Sequence, residues 1–271
     1  MQERSCIEPH RTPAVCAAFS VIVVLSWVGA AVAQVQPVCV QPPAGMVAWW
    51  PGDGSPLDIV GGNTGTWHGT EAYATGEVGQ AFSFNGSSWV EAPSTAALSP
   101  TAAITIDAWI NPSATSANRI VDKIAAGGGN GYLLDLLTGK LRLIIDGHGL
   151  SGATTLQTGV ICHVAGTFDG TTMIVYVNGA SDGTFALSGA IPTNTLPVRI
   201  GADSTGANTF SGWIDEVEIF NRALSAGEIQ GIYTAGPAGK CKPQPIPASS
   251  RLGLAVLVLL VAVAAALLLR R

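Results

Sequence analysis

Apolar and polar residues alternate with a period of two in a series of short runs between residues 45 and 236. Successive side chains of a β-strand point to opposite faces, so this pattern predicts strands with one buried face. Nine strands are predicted, at 46–50, 81–84, 88–92, 104–110, 132–137, 140–145, 173–177, 198–201 and 213–220. Pairs of small or turn-forming residues predict tight hairpins at 138–139, 169–170, 178–179 and 182–183.

One helix is predicted near the end of this region. Ser225 lies three residues before Glu228, the spacing of a capping box, and Ile229, Ile232 and Tyr233 follow on one helical face. Many evenly spaced strands, without an alternation of strands and helices, are typical of antiparallel sandwiches. The predicted fold class is therefore all-β: a two-sheet antiparallel jelly-roll sandwich with a short C-terminal helix.

The first 33 residues have the order of a secretory signal peptide. Arg4 and Arg11 precede an apolar run at 15–28, and Ala-Val-Ala at 31–33 supplies small residues for cleavage before Gln34. A first membrane span is the alternative, but the apolar run is short and no basic residue follows it directly. We therefore expect the mature chain to lie outside the cytoplasm.

The other end of the chain is apolar as well. Residues 252–269 carry no charge, and a stretch of this length crosses a bilayer core of ~30 Å at ~1.5 Å per residue. Arg270 and Arg271 would hold their end in the cytoplasm. The sequence predicts an exported protein that is anchored at the cell envelope by a C-terminal transmembrane helix.

These features divide the chain into five segments. They are a signal peptide at 1–33, a lead-in with Cys39 at 34–44, a β-domain at 45–236, a Pro-rich linker with Cys241 at 237–250, and a membrane or sorting segment at 251–271. Six Lys and Arg against sixteen Asp and Glu give the β-domain a formal charge of −10, whereas the whole chain carries −5. Such a domain repels phosphate backbones, which excludes nucleic acid as a partner and is compatible with a divalent cation.

Three of the five cysteines remain after removal of the signal peptide. Cys39 and Cys241 flank the β-domain, and in an oxidising compartment such a pair can join the two ends of a sandwich. Closing a loop of about 200 residues would contribute up to ~5 kcal/mol on the chain-entropy model. We expect this disulfide, with Cys162 left unpaired, although the sequence alone does not fix the pairing.

Four ordered segments carry a family resemblance. They are MVAWWPGDG at 46–54, GQAFSFNG at 79–86, VAGTFDG at 164–170 and IDEVEIFNRALS at 214–225. Together they resemble the bacterial laminin-G-like (LamG) jelly-roll domains of the concanavalin A-like lectin and glucanase superfamily, over nearly all of 45–236. Separately, IPASS at 246–250 resembles C-terminal sorting signals that begin Ile-Pro-Thr-Leu, with Ala-Ser in place of Thr-Leu and without the usual following Trp.

The resemblance implies a structural calcium ion, which many relatives contain. Asp215 falls on the apolar face of its strand if side chains alternate strictly, and a buried unpaired carboxylate is costly. Backbone donors could satisfy Asp215. Alternatively, Ca²⁺ could be held by Asp215 together with Asp53, Asp58 or Asn63, since this ion takes six to eight oxygen ligands.

Two groups of residues invite a catalytic interpretation. The laminarinase branch of the resembled family cleaves β-glucans with three carboxylates on one strand face. Here strict alternation places Glu216 and Glu218 on one face and Asp215 on the other, so the constellation is incomplete. Cys162 and His163 are adjacent on a strand and point to opposite faces, so they cannot act as a nucleophile and base pair, and Cys162 is expected to pack. No catalytic residue is predicted.

Aromatic residues in Gly-, Ser- and Thr-rich segments are the predicted ligand contacts. Trp67, His68 and Trp89 could present an aromatic face to a sugar ring, or the tryptophans could fold back over the end of the sandwich. Trp49 and Trp109 lie in apolar strands and are expected in the core.

The function predicted from all this is a non-catalytic extracytoplasmic recognition module that binds a glycan or protein at the cell surface. The alternatives are a surface scaffold domain without a small ligand and, least favoured, a carbohydrate-active enzyme. The expected partners are an extracellular ligand and the membrane through the C-terminal helix.

Overall fold

The structure is a computed structural model that describes residues 39–125 and 129–243. The predicted signal peptide, residues 244–250 of the Pro-rich linker and the predicted membrane segment lie outside these residues. Within them, we find no helix whose length and apolar character would suffice to cross a membrane.

Fifteen strands form two antiparallel sheets in the described part of the chain. The strands are β1 Met46–Trp50, β2 Thr66–His68, β3 Tyr73–Thr75, β4 Gln80–Asn85, β5 Trp89–Ala92, β6 Ile104–Pro112, β7 Ala117–Ile124, β8 Gly131–Leu137, β9 Lys140–Ile145, β10 His148–Thr155, β11 Cys162–Phe168, β12 Thr172–Val177, β13 Ala180–Ala186, β14 Val198–Ile200 and β15 Ser211–Phe220. The eight-stranded sheet has the order β13-β12-β11-β6-β15-β4-β3, with β1 paired to β15. The seven-stranded sheet has the order β10-β9-β8-β7-β14-β5-β2. The predicted two-sheet sandwich is confirmed.

All nine predicted strands fall on observed strands, and β2, β3, β7, β10, β11 and β13 are additional. The missed strands lack a clean alternation for physical reasons. β11 is buried at every position, so it shows no polar face, and β13 is an edge strand with mostly exposed side chains. Trp67 and His68, for which no strand was predicted, lie on β2.

The hairpin predictions divide into correct and incorrect ones. Thr138–Gly139 and Asn178–Gly179 both have two successive positive φ angles, as a two-residue hairpin turn requires, and Asp169–Gly170 lies between β11 and β12. The turn predicted at Asp182–Gly183 is wrong, because both residues lie within β13. The register of β12 with β13 shifts there, from Val175 opposite Gly183 to Tyr176 opposite Ser181, which leaves Asp182 as the extra residue of a β-bulge.

The main core lies between the two sheets and is built mainly from alternate residues of the strands. Trp50, Phe82, Ile106, Leu134 and Leu143 are among the side chains fully or almost fully removed from water. Burial of apolar area on this scale is the main stabilising contribution to a domain of this size.

A second, smaller core lies on the opposite face of the eight-stranded sheet, which we call its outer face. There Phe220 of β15 and Ala165 of β11 pack with Ile229 and Ile232 of the helix α1, Ala226–Ala235. The helix begins at the predicted capping box: Ser225 accepts from the Glu228 N–H, and the Glu228 carboxylate accepts from the Ser225 N–H. A short 3-10 helix, Gly236–Ala238, follows α1.

The predicted disulfide between Cys39 and Cys241 is present, with the two Cα atoms 4.9 Å apart and 202 residues between them in sequence. It joins the start of the described chain to the segment after α1. Cys162 is free and buried in the main core, as expected.

Candidate functional site

A groove of about 330 Å³ opens on the face of the seven-stranded sheet that points away from the core. Alternation along β8 and β9 creates its surface. Leu134 and Leu143 enter the core, whereas Leu133, Arg142 and Ile144 point outward. The residues that line the groove are Arg119, Asp122, Ile124, Ala125, Gly129, Leu133, Arg142, Ile144, Gly147 and Asp203.

A β-bulge in β7 brings Arg119 and Asp122 to the same side. Strict alternation would separate two residues that are three apart, but the register with β8 shifts between Arg119 and Val121. The neighbours Ile120 and Val121 both enter the core. The extra residue therefore turns the side chain of Arg119 toward the groove.

Asp135 of β8 holds two guanidinium groups at the groove. Its Oδ1 accepts from Arg142 Nε at 2.9 Å and its Oδ2 accepts from Arg142 Nη2 at 2.7 Å, a bidentate pair. Arg119 Nη1 donates to the same Oδ2, and Arg119 Nε lies 3.2 Å from Asp122 Oδ2. Asp135 is fully buried, while about a fifth of the Arg142 side chain is exposed. The carboxylate therefore fixes both guanidiniums and leaves other N–H groups free to donate to a ligand.

Two further carboxyl groups of the groove titrate in opposite directions. Burial raises the pKa of Asp122 to about 7, and the Ile124 N–H and the Arg119 charge offset this only in part. Burial opposes ionisation of Asp203 too, but donors from Thr205, Ala207 and Asn208 outweigh it and lower the pKa of Asp203 to about 2. At neutral pH the groove therefore has little net charge, with Arg119 and Arg142 balanced by Asp135 and Asp203.

The structure brings together two of the three predicted ligand contacts. The rings of His68 and Trp89 stack 4.9 Å apart with an interplanar angle of 4°. On the other side of Trp89, toward β14, the Arg199 guanidinium lies 5.5 Å from the ring centroid. Both faces of the Trp89 ring are thus covered, and the partly exposed His68 lies at one end of this stack of three side chains.

Trp67 is on the opposite side of its strand. Its ring packs against the main core beside Tyr73, Phe82 and Phe84, and its Nε1–H donates to the Tyr73 hydroxyl at 3.0 Å. This is the alternative arrangement, in which the tryptophan folds back over the sandwich. Trp67 and His68 are adjacent on β2, so they necessarily diverge.

The acidic segment of β15 departs from the strict alternation assumed for it. Glu216 has a positive φ of 52°, and the register with β6 shifts between Asp215 and Glu218. Val217 and Ile219 enter the main core. Asp215 lies opposite Trp109, on the outer face, and not on the apolar face that was expected.

All three carboxylates of this segment are buried beneath other parts of the chain. Glu216 accepts from the Trp49 indole N–H at 3.0 Å, and Glu218 Oε1 lies 2.6 Å from Lys240 Nζ. Burial and the neighbouring Asp107 raise the pKa of Glu218 well above its ordinary range. Burial also raises the pKa of Asp215 to about 8, although the Val78 N–H opposes this shift. Carboxyls enclosed in this way do not face a cleft that a polysaccharide could enter.

The remaining catalytic candidates diverge as expected. Cys162 lies in the main core, whereas His163 lies on the outer face with its ring 5.2 Å from that of Trp109 and its Nε2 3.5 Å from Asp107 Oδ2. Burial raises the pKa of the Cys162 thiol, which disfavours a reactive thiolate. Trp49 and Trp109 are both buried, on the outer face of the sheet.

The four predicted calcium ligands are used in other ways. Asp58 accepts N–H donors of Trp49, Val60, Gly61 and Asn63 and the side-chain amide of Asn63. Asp53 accepts from the Gln80 N–H and pairs with Lys242 at 2.6 Å, and Asp215 accepts from Val78. Over 39–125 and 129–243, no three His, Cys, Asp or Glu side chains are grouped as a metal site. The N–H donors around Asp58 fit a carboxylate that stabilises its loop better than one that binds an ion. Calcium binding here stays a prediction.

The residues of the groove were not singled out from the sequence. At the sequence level, four of them counted only toward the formal charge of the β-domain: Arg119, Asp122, Asp135 and Arg142. A usable signal was present, because Asp135 and Arg142 interrupt the apolar segments YLLDLL and KLRLII of two neighbouring strands. Opposite charges at matching positions of a hairpin predict a pair on the outward face, and the two are directly opposite in register.

Comparison with known proteins identifies a family. The profile described as the concanavalin A-like lectin/glucanases superfamily matches residues 84–230, more than half of the 271 residues. No curated protein sequence matches the chain.

Solved structures share the fold at low sequence identity. Domain 4 of AbnA, a GH43 extracellular arabinanase from Geobacillus stearothermophilus in complex with arabinotriose, has 22% identity and a TM-score of 0.56, over 69% of this chain and 97% of that domain. The binding domain of botulinum neurotoxin DC, in complex with SialylT, has 13% identity and a TM-score of 0.53, over 71% and 52%. The same toxin domain in complex with rat synaptotagmin II has 12% identity and a TM-score of 0.54, over 70% and 51%. This chain thus corresponds to about half of the toxin domains.

Proposed function

Because this chain belongs to the concanavalin A-like lectin/glucanases superfamily, we propose that it is a non-catalytic recognition module that binds a carbohydrate in the groove of the seven-stranded sheet. The observation that carries the proposal is the pair of guanidiniums fixed by the buried Asp135. Side chains that are held in place before binding lose little freedom when a ligand arrives.

The chemistry of the groove suits a neutral sugar. The N–H groups of Arg119 and Arg142 that Asp135 does not use can donate to hydroxyl oxygens of a sugar. Ile144, which is partly exposed, provides an apolar surface for the C–H side of a pyranose or furanose ring. The near balance of charge favours a neutral glycan over a phosphate or a polyanion.

Two features support binding without turnover. The acidic segment of β15 is buried and paired with lysine, and in the groove Asp135 is fully buried and hydrogen-bonded to two arginines. A retaining glycosidase requires a nucleophile and an acid ~5–5.5 Å apart across an open bond. The solved structure with arabinotriose is a separate domain of an arabinanase, which is consistent with an accessory role for this fold. A reducing-sugar assay should therefore detect no release.

We expect Arg142→Lys to weaken glycan binding by at least about tenfold, because lysine cannot reproduce a bidentate guanidinium. The measurement is a glycan array with the full-length protein in mild detergent, followed by titration of the best neutral glycan. Arg222→Lys is the matched control, since Arg222 pairs with Glu228 in the first turn of α1, away from the groove. An array without hits would favour the scaffold alternative, and release of reducing ends would favour an enzyme.

The proposed location is the cell envelope, with the module exported by the signal peptide and anchored by the C-terminal apolar segment at 252–269. Fractionation of the producing cells should place the protein with membranes, and its N-terminal sequence should begin at Gln34. A soluble cytoplasmic product that retains Met1 would contradict this location.

The calcium prediction has its own test. If Asp53, Asp58, Asn63 and Asp215 hold an ion, purified protein should contain about one calcium per chain, and a chelator should lower the melting temperature. Protein without calcium, whose melting is the same with and without added calcium, would contradict the prediction.

A further inference from the structure

The last described residues form a strap across the outer face of the eight-stranded sheet. We define the strap as residues 239–242. It is joined to the lead-in by a parallel β-bridge between Val40 and Lys240, in which the Val40 N–H donates to Gly239 O at 3.0 Å and the Cys241 N–H donates to Val40 O at 2.8 Å. The Cys39–Cys241 disulfide connects the two segments covalently.

The two lysines of the strap point at the buried carboxylates of β15. Lys240 Nζ lies 2.6 Å from Glu218 Oε1 and 3.8 Å from Glu216 Oε2, and its side chain is only 2% exposed. Lys242 Nζ lies 2.8 Å from Glu216 Oε1. Both ammonium groups also lie over the ring of Trp49, at 5.5 and 6.0 Å from its centroid.

Without the strap, the buried carboxyl groups in this part of the outer face would lose their lysine partners. Glu216 and Glu218 are 1% and 0% exposed, and Asp107, which is 1% exposed, lies opposite Glu218 in register on β6. Lys240 is the ion-pair partner of Glu218 among the described residues. Removing one partner of a buried ion pair is strongly destabilising, because the other charge stays buried and uncompensated.

Apart from the lysine contacts, the non-covalent attachment of the strap is small and includes one β-bridge. Gly236 begins the short 3-10 helix and Gly239 follows it, and both have positive φ. A four-residue segment of this kind loses conformational entropy when it docks. The covalent link to Cys39 offsets that loss, because it keeps the lysines close to their partners.

We infer that the Cys39–Cys241 disulfide is a redox-controlled lock that holds Lys240 over the buried carboxylates, so that the domain is complete only where thiols are oxidised. A dithiol reductant opens the lock: its two thiols are oxidised to a disulfide, and two electrons and two protons convert Cys39–Cys241 to two free thiols. The strap then leaves the sheet and Glu218 loses its cation. This device is independent of what the groove binds.

Trypsin cleavage after Lys240 reports release of the strap. In full-length protein kept in mild detergent, cleavage at Lys240 should be at least about ten times faster with dithiothreitol than without it, well below the melting temperature. Lys140 in β9 serves as an internal control, and its cleavage should not change. Equal cleavage after Lys240 in both states would overturn the lock. Simultaneous acceleration at Lys140 would also overturn it, since the disulfide would then act on the whole fold.

A thermodynamic cycle tests the role of Lys240 itself. Lys240→Met should lower the melting temperature of the oxidised protein by ~10 °C, and it should have less than about a third of that effect once the protein is reduced. The double variant Cys39→Ser, Cys241→Ser should reproduce the reduced state without reagent. Equal effects of Lys240→Met in the oxidised and reduced proteins would refute the coupling. Lys140→Met is the matched control and should change neither melting temperature by more than ~2 °C.

Discussion

Replacing Asp58 with alanine is expected to destabilise the domain by about 3–5 kcal/mol, one of the largest single effects available in this chain. Asp58 is 3% exposed and accepts five N–H donors, four of them from the backbone. Alanine would leave three buried donors without acceptors, namely the Trp49 N–H and the backbone and side-chain N–H groups of Asn63. Each orphaned donor costs ~1–3 kcal/mol before relaxation. Urea denaturation followed by tryptophan fluorescence would measure the loss.

Asp169→Ala is the matched control for this effect. Asp169 braces the turn after β11 in the same manner and accepts from Thr171 and Thr172, but it is exposed. Water can replace its hydrogen bonds, so we expect a loss of less than about 1 kcal/mol. If Asp58→Ala cost no more than Asp169→Ala, the bracing role would be wrong. The two variants also test calcium binding. If an ion were bound at Asp58, the loss of stability in Asp58→Ala would depend on added calcium.

Asp122→Asn is expected to stabilise the domain at pH 7 and above, whereas Asp58→Ala destabilises it. The pKa of Asp122 is about 7 in the folded protein against 3.8 in the unfolded chain, because burial disfavours the carboxylate. A raised pKa means that the folded state holds the proton more tightly. The contribution to stability is therefore complete below about pH 4 and is lost as the pH rises through 7. The span of this loss is about 2–4 kcal/mol.

The free energy of unfolding measured between pH 4 and 8 would show this difference. It should fall with rising pH in the natural protein more steeply than in Asp122→Asn. Asp203→Asn is an informative control in the same groove, because the pKa of Asp203 is lowered in the folded protein. The contribution of Asp203 to stability is therefore present above about pH 4 and is lost as the pH falls toward 2. The same slope in Asp122→Asn and the natural protein would show that Asp122 does not carry the effect.

The fold could be predicted from the sequence where the alternation of apolar residues and the turn-forming residues indicate the same elements. The segments 104–110, 140–145 and 213–220 show one apolar face each, and Thr138–Gly139 and Asn178–Gly179 allow the positive φ angles of their turns. Ser225 and Glu228 similarly placed the start of α1. Local rules were enough in these places because each element needs only its own residues to satisfy its backbone and bury one face.

The candidate site was less accessible, because β-bulges decide which side chains meet. One bulge turns Arg119 toward Asp122, and another turns Asp215 toward Trp109. A strict period of two places Arg119 and Asp122 on opposite faces and Asp215 on the core face. A single sequence does not show where an extra residue is inserted. The partners of β15 were hidden for a second reason. Lys240 and Lys242 follow the domain in sequence, in a segment whose composition indicated only a linker.

The bulge at Asp182 affects how neighbouring molecules can meet. β10 and β13 are the edge strands of the two sheets on one side of the sandwich. The Asp182 carboxylate accepts the backbone N–H of Thr154 at 3.1 Å and its hydroxyl at 2.6 Å. The position facing it is Gly152, where a Cβ would be 2.1 Å from Asp182 Oδ2. A charged side chain that spans two open strand edges prevents another chain from adding to either one. Even at high concentration, such molecules are thus protected against strand-to-strand aggregation.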